Sequence, residues 1–162
     1  MRIALVSDTH NDQNKIKQAL ARLQQEQITT VLHAGDVTSA RTLRLFKAFD
    51  VWVARGNMDH DPALDATVHE LFGPQRLAAI HKLTLDGHTL ALVHNGESGA
   101  GRELIQSRDY DYVIHGHSHR PRDQAFVGTR VINPGALGNP RWRQPTVAIL
   151  DLATGDLSWV KL

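Results

Sequence analysis

The chain has 162 residues, and its 18 Lys plus Arg nearly balance its 17 Asp plus Glu, for a formal net charge of +1. This balance excludes an overall positive electrostatic potential that would attract a nucleic acid or an anionic membrane, although local basic patches remain possible. The chain has no cysteine, which excludes disulfides, thiolate nucleophiles and soft metal sites, and which fits a reducing compartment.

The first third of the chain predicts alternating strands and helices. Apolar runs over 2–7, 29–36 and 51–57 predict buried strands, and the segments 11–27 and 39–49 predict helices. Strands and helices that alternate at this spacing imply right-handed crossovers and a parallel sheet.

The remainder of the chain is richer in strands. The predicted elements are a hairpin over 76–95, a helix over 100–109, a strand over 112–116, and hairpins over 125–135 and 145–162. We therefore expect an α/β fold in which a parallel half is followed by a largely antiparallel half. Two sheets packed face to face, with helices outside, would bury both halves. Periodicity does not resolve the loop 58–75.

The organisation of the chain predicts one domain over 1–162. No Pro/Gly/Ser-rich linker or charge block divides it. The apolar run before Asp8 is too short for a signal peptide, and no later run approaches the length of a membrane span. We expect a cytoplasmic protein without a membrane partner. The oligomeric state stays open, a homo-oligomer included.

Five predicted strands end in side chains that can bind a metal ion. The set is Asp8, His10, Asp36, Asn57, His94, His117 and His119. One such residue is more often a turn or cap residue, but five terminations together are hard to explain by packing. Seven residues suit two divalent ions, with Asp36 as the bridge because a carboxylate has two oxygens. Carboxylate, imidazole and amide ligands favour Mn²⁺, Fe, Zn²⁺ or Ni²⁺ over Ca²⁺.

The stretch IHGHSH places histidines at 115, 117 and 119. In an extended chain, residues i and i+2 point to the same face, so the rings of His117 and His119 can reach one place. His115 would share that face if the strand continued past Gly116. We nevertheless leave it among the structural or surface histidines, which are His33, His60, His69, His81, His88 and His115.

The segments DTH, GDV, RGNMD, LVHN, HGHSH and INPGA follow one another between Asp8 and Pro140. In this order they resemble the calcineurin-like metallophosphoesterases, and among them the small bacterial and archaeal phosphodiesterases. The resemblance implies a four-layer α/β/β/α sandwich of two mixed sheets with flanking helices. It also implies a dinuclear metal-dependent phosphoesterase, with phosphodiesters as the favoured substrates and Mn²⁺ as the favoured metal.

The resemblance also implies a role for each residue of the set. One ion would be held by Asp8, His10, Asp36 and His119, and the other by Asp36, Asn57, His94 and His117. In two-metal chemistry, a hydroxide between the ions attacks phosphorus in line. Asp36, as the bridge, and Asn57, beside the non-bridging oxygens, would then be the catalytic side chains.

Two positions depart from the family pattern. The larger family often has a histidine, taken as the proton donor to the leaving group, where this chain has Met58. The subfamily commonly lacks that histidine. The segment HNGESG after the fourth strand replaces the usual His-Gly, so the loop over the second metal is expected to differ.

Several arginines lie near the motifs. Arg55 precedes the Gly-Asn pair and could bind a phosphate oxygen together with Asn57, although an exposed strand-end arginine is at least as common. The arginines that follow motif segments could steer an anionic substrate or simply form a solvated rim. They are Arg120, Arg122, Arg141 and Arg143.

Three other functions compete with a phosphodiesterase of small molecules. The retromer scaffold subunit resembles the same fold, so a non-catalytic interaction scaffold is one alternative, although a scaffold would tolerate loss of the ligands. A dinuclear amidohydrolase needs a (β/α)₈ barrel of about 200 residues or more, with its His-x-His on the first strand. A nuclease could use the same site, but the near-neutral charge does not favour nucleic acid as a partner.

Overall fold

The computed structural model describes residues 1–138 and 144–162. The strands are β1 (Arg2–Val6), β2 (Thr30–His33), β3 (Asp50–Ala54), β4 (Leu77–Ala78), β5 (Ile80–Leu85), β6 (His88–Val93), β7 (Tyr112–Ile114), β8 (Arg122–Phe126), β9 (Thr129–Asn133), β10 (Thr146–Asp151) and β11 (Leu157–Lys161). The helices are α1 (Gln13–Gln25), α2 (Ala40–Leu43), α3 (Leu64–Phe72) and α4 (Gly99–Ser107), and a 3₁₀ turn over Arg44–Phe46 follows α2. None of the helices in this part of the chain is long and apolar enough to cross a membrane.

The strands form two mixed sheets. The first sheet has the order β11-β10-β1-β2-β3-β4, and the second has the order β5-β6-β7-β9-β8. β1, β2 and β3 are parallel, as the strand–helix alternation predicts. The C-terminal hairpin of β10 and β11 returns to the first sheet, where β10 pairs antiparallel with β1.

Apolar side chains divide the molecule into four layers. Successive residues of a strand point to opposite faces of its sheet. Ala4 and Val6 of β1 therefore pack with the buried face of α1 and with α2 and α3. Ile3 and Leu5 point the other way and pack against the second sheet. Leu104 of α4 covers the outer face of that sheet. The expected α/β/β/α sandwich is confirmed.

Helix α1 shows how local sequence sets an element. Its residues Ile16, Ala19, Leu20 and Leu23 share one face and are buried. The carboxylate of Asp12 accepts a hydrogen bond from the backbone N–H of Lys15 at 3.1 Å and so caps the first turn. The helix thus starts two residues later than the predicted range 11–27.

Three predictions need correction. The helix predicted over 39–49 ends as a 3₁₀ turn at Phe46, because the chain must turn at once into β3. The second half is less antiparallel than expected, since β6 is parallel to β7 and β7 to β9. The hairpin predicted over 125–135 begins earlier, with β8 at Arg122. In addition, the segment 58–75, to which sequence periodicity assigned no element, contains α3.

Candidate metal centre

The seven predicted ligands meet at one edge of the sandwich, where β1, β2, β3, β6 and β7 end. Backbone hydrogen bonds hold the segments after these strands together. The N–H of Asp8 donates to the carbonyl of Gly35 at 2.9 Å, and that of Gly116 to the carbonyl of His94 at 2.9 Å. The N–H of His117 donates to Asp8 Oδ2 at 3.1 Å and so joins the two sheets. We call the seven ligands the metal cluster.

One half of the metal cluster gathers around Asp8. Its Oδ1 lies 3.2 Å from Nε2 of His119 and 3.8 Å from Nε2 of His10. The two imidazole nitrogens lie 3.3 Å apart. One ligand atom from each of these three residues therefore falls within 4.8 Å of the others.

The other half gathers around Asn57. Its Oδ1 lies 2.9 Å from Nε2 of His94 and 3.0 Å from Nδ1 of His117. These two ring nitrogens lie 3.2 Å apart. Asp36 lies between the halves, with Oδ1 3.5 Å from Nε2 of His94 and Oδ2 3.8 Å from Nε2 of His10.

The chemistry of these atoms fits a cation. Nδ1 of His94 lies 2.7 Å from the carbonyl oxygen of Ala34, which can only accept, so Nδ1 carries the hydrogen. In the neutral ring, Nε2 then turns a lone pair toward the oxygens of Asn57 and Asp36. Asp8 Oδ1 is buried and makes no hydrogen bond within the described residues. A positive ion between these electron-rich atoms would resolve both features.

Asp8 also carries the negative charge that a cation would neutralise. Burial alone would raise the pKa of its carboxyl group. Contacts with the His119 ring and the Ser7 hydroxyl outweigh burial, so the pKa lies below its ordinary value. Asp8 is therefore an anion at neutral pH, although its side chain is buried.

Four further residues hold the metal cluster in place. Ser7 donates its hydroxyl to Asp8 Oδ2 at 2.6 Å. Asp59 accepts the N–H of Asp36 at 3.1 Å and that of Gly56 at 2.7 Å, so it joins two of the ligand segments.

Asn133 and His33 are the other two supports. The amide nitrogen of Asn133 donates to the carbonyl of Gly116 at 2.8 Å and to the Ser118 hydroxyl at 3.0 Å, inside the His117 segment. The buried ring of His33 contacts Thr9 Oγ1 through Nε2 at 3.2 Å and accepts the N–H of Gly35 at Nδ1 at 3.2 Å, so it joins the segments that carry Asp8 and Asp36. None of the four supporting residues was predicted to hold ligands, because a polar residue at a strand end or in a loop carries no signal that separates a support from a turn or cap residue.

The IHGHSH segment reaches the metal cluster by a different geometry from the one expected. β7 ends at Ile114, and His117 and His119 have positive φ angles of 67° and 59°. The condition of an extended chain is therefore not met beyond Ile114. The two rings diverge to different halves of the metal cluster. The ring of His115 is buried, and its Nδ1 lies 3.2 Å from the carbonyl of Gly116.

The arginines fall in different places. Arg55 forms an ion pair of 2.6 Å with Asp65 of α3, so a phosphate would have to compete with that carboxylate. Arg120 and Arg122 line a cavity beside His117. Arg141 and Arg143 lie outside the described residues.

Comparison with known proteins gives a consistent result. A family model described as the calcineurin-like phosphoesterase superfamily domain matches residues 1–155. The chain is 27% identical to a phosphodiesterase of Methanocaldococcus jannaschii over 93% of both chains. It is 30% identical to a probable metallophosphoesterase of Methanothermobacter thermautotrophicus, over 93% of this chain and 85% of that one. A solved structure of an archaeal phosphodiesterase superposes with a TM-score of 0.92 at 25% identity and covers all of both chains.

Proposed function

The chain belongs to the calcineurin-like phosphoesterase superfamily and is a metal-dependent phosphoesterase, and we propose that it hydrolyses small phosphodiesters at two divalent metal ions. In this reaction water adds to phosphorus and one P–O ester bond breaks. The products are a phosphomonoester and an alcohol or phenol. The similarity in sequence and in structure to proteins described as archaeal phosphodiesterases favours diesters over monoesters.

The proposed ligand sets follow the two halves of the metal cluster. Asp8, His10, Asp36 and His119 hold one ion, and Asp36, Asn57, His94 and His117 hold the other. The observation that carries this proposal is the convergence of three atoms: Nε2 of His94 lies 2.9 Å from Oδ1 of Asn57 and 3.5 Å from Oδ1 of Asp36. Asp8 also lies within 4.8 Å of ligand atoms of Asp36 and His94, so the two halves share a compact centre.

Bound divalent ions would polarise the phosphoryl group and lower the pKa of an attacking water. The chain's own residues orient this chemistry. Asp59 fixes the Asp36 segment, and the Asn57 amide would meet a non-bridging phosphate oxygen. The nitrogen and oxygen donors, in a chain without cysteine, favour Mn²⁺, with Ni²⁺, Fe and Zn²⁺ as the other candidates. The lack of cysteine also supports a cytoplasmic location.

The deciding experiment measures hydrolysis of bis(4-nitrophenyl) phosphate and 4-nitrophenyl phosphate by stripped protein. Mn²⁺, Ni²⁺, Zn²⁺ and Mg²⁺ are added separately. We expect activity only after addition of a transition metal, with the diester preferred, and almost none in Asp36→Ala. Asp109→Ala, which changes an exposed carboxylate after α4, is the matched control and keeps full activity. Hydrolysis by metal-free protein, or by Asp36→Ala at the wild-type rate, would refute the two-metal proposal.

The ligand sets have their own test, which is metal content. We expect His117→Ala and His119→Ala to lose bound metal and His115→Ala to keep it, because the Nδ1 of His115 faces a backbone carbonyl. Elemental analysis of the three variants, loaded with Mn²⁺ and desalted, measures this directly. Two ions retained in all three variants would refute the assignment. Full metal binding by the wild-type protein without hydrolysis of any ester would favour the scaffold alternative.

A further inference from the structure

A groove runs from the metal cluster across the outer face of the second sheet. It begins in a cavity of about 620 Å³ whose walls include His117, Ser118 and Arg120. It continues into a cleft of about 340 Å³ between α4 and β8. Glu97 and Arg122 line both spaces, so the two adjoin each other.

Positive charge dominates the groove. Arg120 and Arg122 line the part next to the metal cluster, and Arg102 and Arg122 line the cleft, against one carboxylate from Glu97. Within residues 1–138 and 144–162, no carboxylate lies within 4.0 Å of any of these three guanidinium groups. Nε of Arg122 instead donates to the amide oxygen of Gln124 at 2.9 Å. The guanidinium groups therefore retain capacity for an anionic ligand.

The far end of the groove offers an aromatic face and amides. Phe126 lies at the end of β8 and is 41% exposed, which is unusual for so large an apolar side chain. Arg122, Gln124 and Phe126 alternate along β8 and all line the cleft, opposite Gln106 of α4. From Arg122 to Phe126 the strand extends about 13 Å, roughly the length of one nucleotide.

We propose that this groove binds a nucleoside on the non-leaving side of the scissile phosphodiester, with the base against Phe126 and any further phosphate against Arg102 and Arg122. The inference rests on the proposed phosphodiesterase function and names its substrate class, a small nucleotide diester. Arginine forms charge-assisted hydrogen bonds with phosphate oxygens, and a base can stack on a phenyl ring. The amide of Gln106 supplies a donor and an acceptor, and the amide nitrogen of Gln124 a further donor, for the edge of the base.

The kinetic test compares two diesters that share one leaving group. Thymidine 5′-(4-nitrophenyl phosphate) carries the nucleoside, and methyl 4-nitrophenyl phosphate does not. For the Mn²⁺-loaded wild-type protein we expect kcat/KM to be at least about tenfold higher for the nucleoside ester, as base stacking on an aromatic ring predicts. A phosphate at the 3′ position of thymidine should raise it further. Equal values for the two esters would overturn the groove assignment.

Variants locate the effect in the groove. Phe126→Ala should lower the ratio of the two kcat/KM values by about tenfold, and Arg102→Ala should abolish the gain from the 3′-phosphate. Val127→Ala, at the neighbouring exposed position in the turn after β8, is the matched control and leaves the ratio unchanged. If Phe126→Ala lowers both rates equally, the residue acts on the fold or on the metal cluster, and the inference is wrong.

A binding measurement separates failure of this inference from failure of the proposed function. Calorimetry on the Mn²⁺-loaded protein compares thymidine 3′,5′-bisphosphate with methyl phosphate, and neither compound is a diester. We expect the bisphosphate to bind more tightly, and Phe126→Ala and Arg122→Ala to remove the difference. Absence of hydrolysis of both esters would refute the phosphodiesterase proposal, while the calorimetry would still test whether the groove binds a nucleoside. Equal affinity for both ligands would refute nucleoside binding in the groove and leave the phosphodiesterase proposal intact.

Discussion

Five of the seven residues in the metal cluster have a left-handed backbone conformation. They are Asp8, His10, Asp36, His117 and His119, with φ between 40° and 67°. Residues other than glycine rarely adopt this conformation, and each instance costs about 1–3 kcal/mol. The hydrogen bonds that Ser7 and Asn133 donate to the cluster segments, and the one that Asp59 accepts from the N–H of Asp36, oppose relaxation of this strain. The protein therefore holds these seven residues, the predicted ligands, in place without a bound ion.

His33 gives the protein a pH-dependent stability. Burial lowers the pKa of its ring to about 3, whereas the unfolded chain takes up this proton near 6.5. Between these values only the unfolded state is protonated at His33. The ring's contribution to stability is therefore fully present above pH 6.5 and is lost as the pH falls toward 3.

We expect the free energy of unfolding of metal-free protein to fall by on the order of 1 kcal/mol per pH unit between pH 6 and pH 4 because of His33. His33→Gln should remove this part of the slope. Urea unfolding at several pH values measures it, with His69→Gln on the exposed surface of α3 as the matched control. Identical slopes for wild type and His33→Gln would contradict the prediction.

The residue Met58 predicts that the rate of hydrolysis depends strongly on the leaving group. Its thioether cannot donate a proton, its side chain is 48% exposed, and its backbone N–H donates to Asp36 Oδ1 at 2.9 Å. We expect kcat/KM for diesters to fall steeply as the pKa of the leaving group rises, so that aryl diesters are preferred to alkyl monoesters. A series of esters with graded leaving groups measures this slope.

The variant Met58→His should flatten that slope only in part. An oriented general acid contributes about 10²–10⁴-fold, but Asp59 already accepts three backbone N–H groups and is not available to orient the new ring. Met58→Leu is the matched control and keeps the wild-type slope. A wild-type rate that does not depend on the leaving group would show that another residue already supplies the proton.

At the scale of residues, the sequence predicts side chains that end strands better than side chains that support them. A run of apolar residues followed by Asp8 or His94 can be recognised in the sequence itself. The link from Asp59 to Asp36 crosses 23 positions and has no local pattern. The seven-residue ligand set itself stays a prediction until metal content is measured.

At the scale of elements, the segments between strands and ligands depend on glycine where two backbones approach closely. A Cβ on Gly116 would overlap the hydroxyl of Ser7 and lie 2.8 Å from Asp8 Oδ2. The same glycine donates its N–H to His94. Gly116 therefore sets the distance between the end of β7 and the end of β1.

We expect Gly116→Ala to lose most metal binding and activity and to lower the free energy of unfolding by about 1–3 kcal/mol, as for overpacking of an interior. Gly99→Ala, at a helical position with no neighbour within 4 Å, is the matched control and should be neutral or slightly stabilising. Metal analysis and urea unfolding measure both effects. A Gly116→Ala protein with full metal content would show that this close approach is not required.

The predicted strands overrun the observed ones at the edge that carries the cluster. β2 ends at His33 and not at 36, and β3 ends at Ala54 and not at 57. At the end of β2, the positive φ angles of Gly35 and Asp36 end the strand. Helix α3 went unpredicted, and its N-cap residue Ala63 makes no side-chain capping hydrogen bond. Only three of its residues, Leu64, Thr67 and Val68, are buried.

At the scale of the whole molecule, the metal cluster joins two sheets. The segments of the first sheet carry Asp8, His10, Asp36 and Asn57, and those of the second carry His94, His117 and His119. An ion held by both groups binds only the folded arrangement. Binding should therefore stabilise the fold as a whole.

We expect Mn²⁺ at about 100 times its dissociation constant to stabilise stripped protein by about 2.7 kcal/mol, which raises Tm by roughly 5–10 °C. Thermal unfolding followed by circular dichroism measures the shift. Asp109→Ala should show the full shift and Asp36→Ala a much smaller one. An equal shift in Asp36→Ala would place the stabilising ion elsewhere.

The pairing of β1 with β10 places the partners Arg2 and Asp151 side by side in the first sheet. Their contact closes a loop that contains nearly every other element, and closing so long a loop is slow. In a nascent or refolding chain that has assembled β1, β2 and β3, the backbone groups along the free edge of β1 stay unpaired until β10 pairs with them. Such an edge recruits other chains, so crowding at this stage should divert molecules into aggregates. Refolding yield should therefore depend on protein concentration even when the finished molecule is stable.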